Sequence, residues 1–202
     1  MLEESSNTGG AAFTIDPSTT ALLVIDELGD PTAGPLSDVL LDPTLRTSEL
    51  IDAAHAVGMP VIFANDAHLP GIDRELLLWG DHGIAGSPDA QISPQLDARS
   101  TDHIIQKRRY SAFFQTGLRL LLDELGIRTL ILVGFDTNIC VQHTAADAYF
   151  NNYDVAVVSD ATATFLVGDQ AQGLAYMQKC YAARVIDTAQ ALRLIEGAEV
   201  SA

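Results

Sequence analysis

Three residue types that together can perform nucleophilic catalysis follow three separate apolar runs of this sequence. The first is Cys140, six residues after Gly134, which closes one of the runs. If a helix begins near Asn138, the thiol lies in its first turn, where unpaired N–H groups and the helix dipole favour a thiolate nucleophile. A small, inert, buried cysteine is the alternative, and spacing alone does not choose between them. Cys180 ends an apolar helix without a polar loop beside it, which favours a structural role.

The other two residue types are a lysine and an aspartate. Lys107 opens the run Lys107-Arg108-Arg109, and a lysine beside the sulfur would stabilise its thiolate. Asp26 ends a buried apolar run, where a carboxylate could take the thiol proton and return it to a leaving amine. The run Lys107-Arg108-Arg109 could instead be a solvated cluster that pairs with surface carboxylates, and this interpretation is preferred for Arg108. Asp26 could instead cap a loop.

A second constellation lies in the long irregular segment 65–97. Asp66 and His68 are two residues apart, so they point the same way in an extended chain, and His82 follows 14 residues later. Two histidines and one carboxylate can bind a divalent metal and leave positions open for water or substrate. Because Asp-x-His is a frequent pattern and His82 could simply cap a loop, both interpretations stay open.

These candidates need a scaffold that brings distant segments together. Short aliphatic runs alternate with stretches of helical period, which predicts an α/β fold of βαβ units around a parallel sheet buried on both faces. The predicted strands are 20–25, 60–64, 102–106, 129–133, 154–159 and 182–186. The predicted helices are 43–57, begun by Asp42-Pro43, and 115–125, 138–151, 169–180 and 188–196.

The predicted sheet collects the candidates at one edge. Asp26 follows the first strand, Asp66 and His68 follow the second, Lys107 follows the third, and Cys140 comes after the fourth. Ligands of open parallel sheets bind beyond the carboxyl ends of the strands, where loops and helix N-termini converge. The sequence therefore predicts one site at that edge.

Composition excludes several classes of protein. The 202 residues are 48% hydrophobic, enough for one sizeable core, and 11 Lys+Arg against 27 Asp+Glu give a formal charge of −16. That charge opposes binding to nucleic acids and to anionic membranes. The longest apolar runs have about five residues, far short of the roughly 20 that cross a bilayer. Two cysteines suit a reducing cytosol, so we expect a cytoplasmic protein.

We expect no secretory signal at the amino terminus, because residues 1–10 contain neither a cationic stretch nor an apolar one. We expect residues 1–12 to be a flexible tail and 13–202 to form a single domain.

Three separated motifs, in this order, resemble the isochorismatase-like cysteine hydrolases from about residue 20 to about residue 190. They are Asp26 after the first strand, the segment 107–118 that begins with Lys107, and the segment 134–148 around Cys140. The resemblance implies a three-layer α-β-α, Rossmann-like domain with a six-stranded, mainly parallel sheet. It also implies an Asp-Lys-Cys triad in which Cys140 is the nucleophile, Asp26 the proton acceptor and donor, and Lys107 their electrostatic partner.

The family further has a non-proline cis peptide shortly before the nucleophile, which would fall at Phe135-Asp136. It would turn backbone N–H groups, those of Ile139 and Cys140, into an oxyanion hole; such a bond costs about 3–4 kcal/mol.

Within the family, the resemblance to nicotinamidase-like members implies a metal ion on Asp66, His68 and His82, with zinc first and iron or manganese as alternatives. It implies an aromatic pocket wall at Trp79, with Tyr110 and Phe113 as further pocket residues. Relatives of N-carbamoylsarcosine amidase match the same loop, so the subfamily stays open. Family members are often dimers or tetramers, and we expect a homo-oligomer.

The sequence also departs from the nicotinamidase pattern. Leu28 and Pro31 stand where a glutamine and an aromatic residue are usual, and Asp136 stands where alanine or threonine is common. These departures concern the pocket wall and leave the nucleophile, the acid/base and the cation in place.

The resulting expectation is a cysteine amidohydrolase that releases ammonia from a small planar amide such as nicotinamide, through a thioester. An N-carbamoyl or ureido acid is the alternative substrate. Hydrolysis of a vinyl ether on an isochorismate-type substrate needs no cysteine, so Cys140 argues against it. A metal- or metabolite-binding module without turnover is the non-enzymatic alternative.

Overall fold

A computed structural model describes residues 13–200 of the chain. The predicted tail, residues 1–12, therefore lies outside the described residues. Within them, no helix is both long and apolar enough to cross a membrane.

Six parallel strands form one sheet in the order β3-β2-β1-β4-β5-β6. This confirms the predicted fold class. The strands are β1 (Thr20–Ile25), β2 (Val61–Asp66), β3 (His103–Lys107), β4 (Thr129–Phe135), β5 (Asp154–Ala163) and β6 (Arg184–Ile186). The chain order reverses between β1 and β4, and ligands of such sheets bind at that point of reversal.

Helices cover both faces of the sheet. They are α1 (Ser37–Val57), α2 (Leu76–Trp79), α3 (Leu118–Glu124), α4 (Gln142–Phe150), α5 (Gln170–Tyr181) and α6 (Thr188–Ile195). On β1, the side chains of Leu23 and Ile25 pack in one core with α3, α4 and α5, while Leu22 and Val24 pack in another with α1 and α6. Because alternate side chains of a strand point to opposite faces, one apolar run supplies both cores.

The start of the first helix was predicted wrongly. The helix begins at Ser37, so Pro43 lies inside it instead of in its first turn. A proline in a helix interior leaves the carbonyl four residues earlier without its N–H partner, and that residue, Val39, is exposed to solvent. Water can therefore satisfy the carbonyl, and the Asp-Pro pair marks no boundary.

The strand β5 runs four residues further than predicted, and its pairing with β4 shifts register between Leu132 and Gly134. The extension carries the chain to residue 164 at the carboxyl edge of the sheet. The irregular segment 65–97 is also more ordered than expected, since it contains the one-turn helix α2 and bridges from Leu28 to Ile92 and from His68 to Ile84.

Candidate active site

Two neighbouring strands end on charged residues that lie side by side. Asp66 ends β2 and Lys107 ends β3, and the two are paired in register. Asp26 follows β1 in a left-handed conformation, φ 51°, and its carboxylate accepts the backbone N–H of Asp66 at 2.8 Å. The parallel register thus converts three separate apolar runs into one polar cluster.

Close approach of β4 to β1 brings the cysteine to the same cluster. Gly134 has φ +107°, and a Cβ built on it would lie 2.0 Å from the carbonyl oxygen of Ile25. No other residue fits so near the β1 backbone. From there the chain enters a single π-helical turn, Thr137–Val141, which carries Cys140.

The Lys107 ammonium lies at the centre of the cluster. Its Nζ is 2.6 Å from Asp26 Oδ2, 2.6 Å from Asp66 Oδ1 and 3.5 Å from Cys140 Sγ. Lys107 is fully buried, and one carboxylate oxygen of Asp26 lies within 4.8 Å of the sulfur. The structure therefore brings the three predicted catalytic residues into one crevice.

The charges of this crevice follow from burial and from the unequal number of anions and cations. Burial would lower the pKa of Lys107, but Asp26, Cys140 and Asp66 outweigh it, and the pKa lies well above its usual range. Burial and the charge of Asp66 raise the pKa of Asp26 to about 6, against the opposing effect of Lys107. The pKa of Asp66 is lowered, because Lys107 and His68 outweigh its burial.

The surroundings of Cys140 favour a neutral thiol, whereas a position in the first turn of a helix favours a thiolate. Burial raises the pKa of Cys140 well above its usual value, and Asp26 and Asp66 raise it further, whereas Lys107 alone lowers it. Because two carboxylates and only one ammonium surround the sulfur, the position of Cys140 in a first helical turn does not decide whether its thiol is protonated. The arrangement places a neutral thiol beside Asp26, an acceptor ionised at neutral pH.

The oxyanion prediction needs correction. Within residues 13–200 every peptide bond is trans, including Phe135-Asp136, which is the lower-energy form for a bond that does not precede proline. The carbonyl of Asp136 accepts the N–H groups of Ile139 and Val141, both at 3.1 Å. The Ile139 N–H is therefore already engaged and is not a free oxyanion donor in this structure.

Asp66, His68 and His82 also lie together. One ligand atom of each is within 4.8 Å of the others, with His68 Nε2 3.5 Å and His82 Nε2 4.0 Å from Asp66 Oδ2. His82 Nδ1 lies 2.8 Å from the carbonyl of Gly80, which accepts its proton and leaves Nε2 as the free ligand atom.

His68 is oriented by the buried carboxylate of Asp73 behind it. Its Nδ1 lies 3.2 Å from Asp73, which also accepts the Leu69 N–H at 2.9 Å and pairs with Arg108 in a two-pronged contact. Arg108 is the exposed cation that we expected, although the carboxylate with which it pairs, Asp73, is buried and does not lie at the surface. A carboxylate at Nδ1 directs Nε2 outward, and Nε2 is buried without a hydrogen-bond partner among the described residues.

Glu75 was not predicted from the sequence, but it also faces Asp66 and His68. Its Oε2 lies 3.5 Å from His68 Nε2, and its Oε1 is buried and unpartnered within the described part of the chain. Burial and the charge of Asp66 raise the pKa of Glu75. An orphaned imidazole nitrogen among carboxylates fits a divalent cation, because a cation would pair the former and neutralise the latter.

A cavity of about 290 Å³ opens onto the cluster. Trp79 and Tyr110 line it, and Trp79 Nε1 donates to the Tyr110 hydroxyl at 3.0 Å. Phe113 does not line it, because its ring packs against Tyr153 at a centroid distance of 5.8 Å in the core beneath α3. The other apolar residues that line the cavity are Leu28, Leu40, Phe135, Ile139, Phe165 and Leu166.

Phe165 and Leu166 were not predicted to be pocket residues. They follow the carboxyl end of β5, so the rule that placed the other candidates could have found them. The predicted end of that strand, residue 159, was too early for the rule to reach them.

Residues 20–190 match the model of the isochorismatase domain. The chain is 31% identical over 179 residues to nicotinamidase 3 of Arabidopsis thaliana, covering 82% of this chain and 88% of that protein. It is 30% identical over 185 residues to the ureidoacrylate amidohydrolase RutB of Acinetobacter baylyi, covering 74% and 73%. The crystal structure of N-carbamoylsarcosine amidase from Thermoplasma acidophilum superposes with a TM-score of 0.77 at 32% identity, covering 84% and 96%.

Fold and matches together define the class. The chain belongs to the isochorismatase-like cysteine hydrolase family. It is an amidohydrolase of that family, a hydrolase of carbon–nitrogen bonds in amides.

Proposed function

We propose that the protein hydrolyses a small planar amide through a thioester on Cys140. The observation that carries this proposal is the position of Lys107 Nζ, 2.6 Å from Asp26 and 3.5 Å from the sulfur of Cys140, two residues that line one cavity. A nucleophile, a proton acceptor and a fixed cation within reach of one another are the parts that acyl transfer requires.

In the acylation half, Asp26 takes the thiol proton as the sulfur bonds to the amide carbon. The pKa of Asp26, raised to about 6, suits a group that must accept a proton and then release it. Asp26 next protonates the departing nitrogen, the C–N bond breaks, and ammonia leaves a thioester behind. We propose the backbone N–H of Cys140 and the Lys107 ammonium as the groups that stabilise the oxyanion.

In the deacylation half, a water molecule gives a proton to Asp26 and its oxygen attacks the thioester carbon. The C–S bond breaks, the sulfur regains the proton from Asp26, and the carboxylic acid leaves. Lys107 keeps its charge throughout, because the carboxylates around it hold its pKa well above its usual range. Its role is to keep Asp26 and the sulfur in place and to balance the changing negative charge.

The metal residues we propose are Asp66, His68 and His82, with Glu75 as a further ligand. When bound there, a divalent ion would orient a heteroaromatic ring nitrogen of the substrate. Zinc is the first choice, since imidazole and carboxylate donors suit it, and iron or manganese is the alternative. Elemental analysis should find about one ion per chain, lost in His68→Ala; a fully active, metal-free preparation would contradict this assignment.

The proposed substrate is nicotinamide or a similar small aromatic amide. The relative named nicotinamidase 3 and the aromatic lining of the cavity by Trp79 and Tyr110 support it. An N-carbamoyl or ureido acid is the second candidate, which the ureidoacrylate amidohydrolase and the N-carbamoylsarcosine amidase support. Either substrate fits the same triad, because both contain a carbonyl carbon bonded to a departing nitrogen.

Ammonia release from a panel of both amide classes tests the proposal. Cys140→Ala should lose turnover while its circular dichroism spectrum stays unchanged. Cys180→Ala is the matched control, since Cys180 is exposed and unpaired. Wild-type protein that retains a ligand tightly but releases no ammonia would favour the binding module instead, and equal activity of the two variants would exclude Cys140 as nucleophile.

We also propose a cytoplasmic homo-oligomer, a dimer or a tetramer. The described residues contain two free cysteines and no disulfide, which suits a reducing compartment. Apolar side chains around a second cavity, which Tyr110 also lines, are exposed, 85% for Leu77, 71% for Leu78 and 67% for Phe150, as expected for a face covered by another subunit. Light scattering of the purified protein measures the state, and a monomer would contradict it.

A further inference from the structure

The Asp136 side chain ties two parts of the chain together. It is 4% exposed, and its carboxylate accepts three backbone N–H groups. Oδ1 accepts from Asn138 at 2.8 Å, within the turn that carries Cys140. Oδ2 accepts from Phe165 at 2.8 Å and from Leu166 at 3.0 Å, in the loop after β5. One buried carboxylate thus holds the nucleophile turn and the cavity wall at a fixed separation.

The cavity wall has little other support. Residues 164–169 belong to neither strand nor helix, so they lack the regular hydrogen bonds of the sheet and of α5. Leu166 and Val167 are about half exposed, at 49% and 48%. The Phe165 and Phe135 rings pack in a T-shaped arrangement at a centroid distance of 6.2 Å. The positions of Phe165 and Leu166, which both line the cavity, therefore depend on Asp136.

Asn138 fastens the second half of the same loop. Its Nδ2 donates to the carbonyls of Val167 at 2.6 Å and Asp169 at 3.3 Å. Two glycines leave room for it: a Cβ on Gly173 would lie 1.7 Å from Asn138 Oδ1, and one on Gly168 would lie 2.8 Å from Nδ2. The sequence keeps this space at two separate positions, which indicates that the placement of Asn138 matters to the fold of the loop.

We propose that Asp136 is a positioning residue that sets the width of the substrate cavity by holding residues 165–166 against the nucleophile turn. This proposal rests on the proposed function, because the loop is a substrate wall only if an amide binds there. A carboxylate suits the task better than an amide, since both of its oxygens only accept hydrogen bonds and three N–H groups converge on them. In Asp136→Asn the side-chain NH₂ group, which is itself a hydrogen-bond donor, would replace one of the two oxygens and face backbone N–H donors on that side.

Amide hydrogen exchange, followed residue by residue by NMR, tests the proposal without any substrate. In Asp136→Asn, protection of the Phe165 and Leu166 amides should fall about tenfold or more, because hydrogen bonds to charged groups are among the strongest in proteins. Protection in the central strand β1 should change much less.

The matched control is Asp187→Asn, which removes a carboxylate that caps α6 by accepting from Gln190 at 2.7 Å. It should leave the Phe165 and Leu166 amides protected. Unchanged protection of these amides in Asp136→Asn would overturn the clamp, and so would an equal fall in both variants. If Asp136→Asn does not fold, Asp136→Ser, which keeps a single acceptor oxygen at the same position, provides the same readout at Phe165 and Leu166.

Kinetics tests the effect on the substrate. In Asp136→Asn we expect KM for the best amide to rise about tenfold with kcat within about threefold, and discrimination against bulkier amides to shrink. Lost protection with unchanged KM and selectivity would overturn the role in setting cavity width. If the wild-type protein hydrolyses no amide of the panel, the proposed function fails, while the exchange rates still decide whether Asp136 holds the loop.

Discussion

Replacement of the buried Glu27 should stabilise the protein, and more so as the pH rises. Glu27 is 2% exposed, Oε1 accepts the Thr47 hydroxyl at 2.5 Å, and Oε2 has no hydrogen-bond partner in residues 13–200. Burial raises its pKa to about 8 from an ordinary value of 4.5, although Thr47 and Thr44 oppose the shift. The folded protein therefore keeps this acid neutral at pH values where the unfolded chain ionises it.

The magnitude follows from this difference in pKa. Below pH 4.5 the group is protonated in both states and has no effect on stability. Between pH 4.5 and pH 8 the unfolded state releases the proton first, so folding loses about 1.4 kcal/mol per pH unit, or about 3 kcal/mol at pH 7. Above pH 8 both states are ionised and the loss is constant.

Urea unfolding of Glu27→Gln and wild type at a series of pH values measures the effect. The free energy of unfolding of the variant, minus that of wild type, should be flat below about pH 4.5, rise to about pH 8 and level off. Glutamine and protonated glutamic acid also differ in a contribution to stability that does not depend on pH. That contribution moves the whole curve up or down and leaves its shape unchanged. Glu49→Gln, at an exposed position of α1, is the control and should give a flat difference. A flat difference for Glu27→Gln as well would refute the reasoning.

Three further results follow from the site. Lys107→Met should lower the free energy of unfolding by about 3–5 kcal/mol, because it leaves Asp26 and Asp66 buried without their cation. Chemical denaturation measures this difference. An unchanged free energy of unfolding would contradict the charges assigned to these three residues. The value of kcat/KM should rise about tenfold per pH unit up to about pH 6 and then level off, since Asp26 must be ionised to accept the thiol proton; a profile flat through pH 5 to 7 would exclude that role. Gly134→Ala should prevent stable folding, as judged by thermal melting, because its methyl would overlap the Ile25 carbonyl.

The sequence predicted the sheet well because its strands are buried on both faces. The run 20–25 reappears unchanged as β1, and every residue in it is buried. Polar residues directly after these runs had to lie at the carboxyl edge, so Asp26, Asp66 and Lys107 could be placed together before any coordinates. Hydrophobic pattern and strand direction suffice for that step.

Other features depend on tertiary contacts that no local pattern records. The start of α1 was hidden by an Asp-Pro pair that resembles a helix start but lies on a solvent-facing turn. Phe113 faces the core because of Tyr153, a residue 40 positions away in the sequence. The raised pKa of Cys140 reflects its burial first and then two carboxylates gathered from different strands. The carboxylate of Asp136 binds a loop that follows two elements later.

The central claim is that an acyl group passes through the sulfur of Cys140. Mass spectrometry of wild-type protein, quenched with acid during turnover of its best amide, tests it directly. We predict that the peptide containing Cys140 gains the mass of the substrate minus ammonia, and that Cys140→Ala neither gains this mass nor turns over. An acyl group on another residue, or undiminished turnover in Cys140→Ala, would contradict the account.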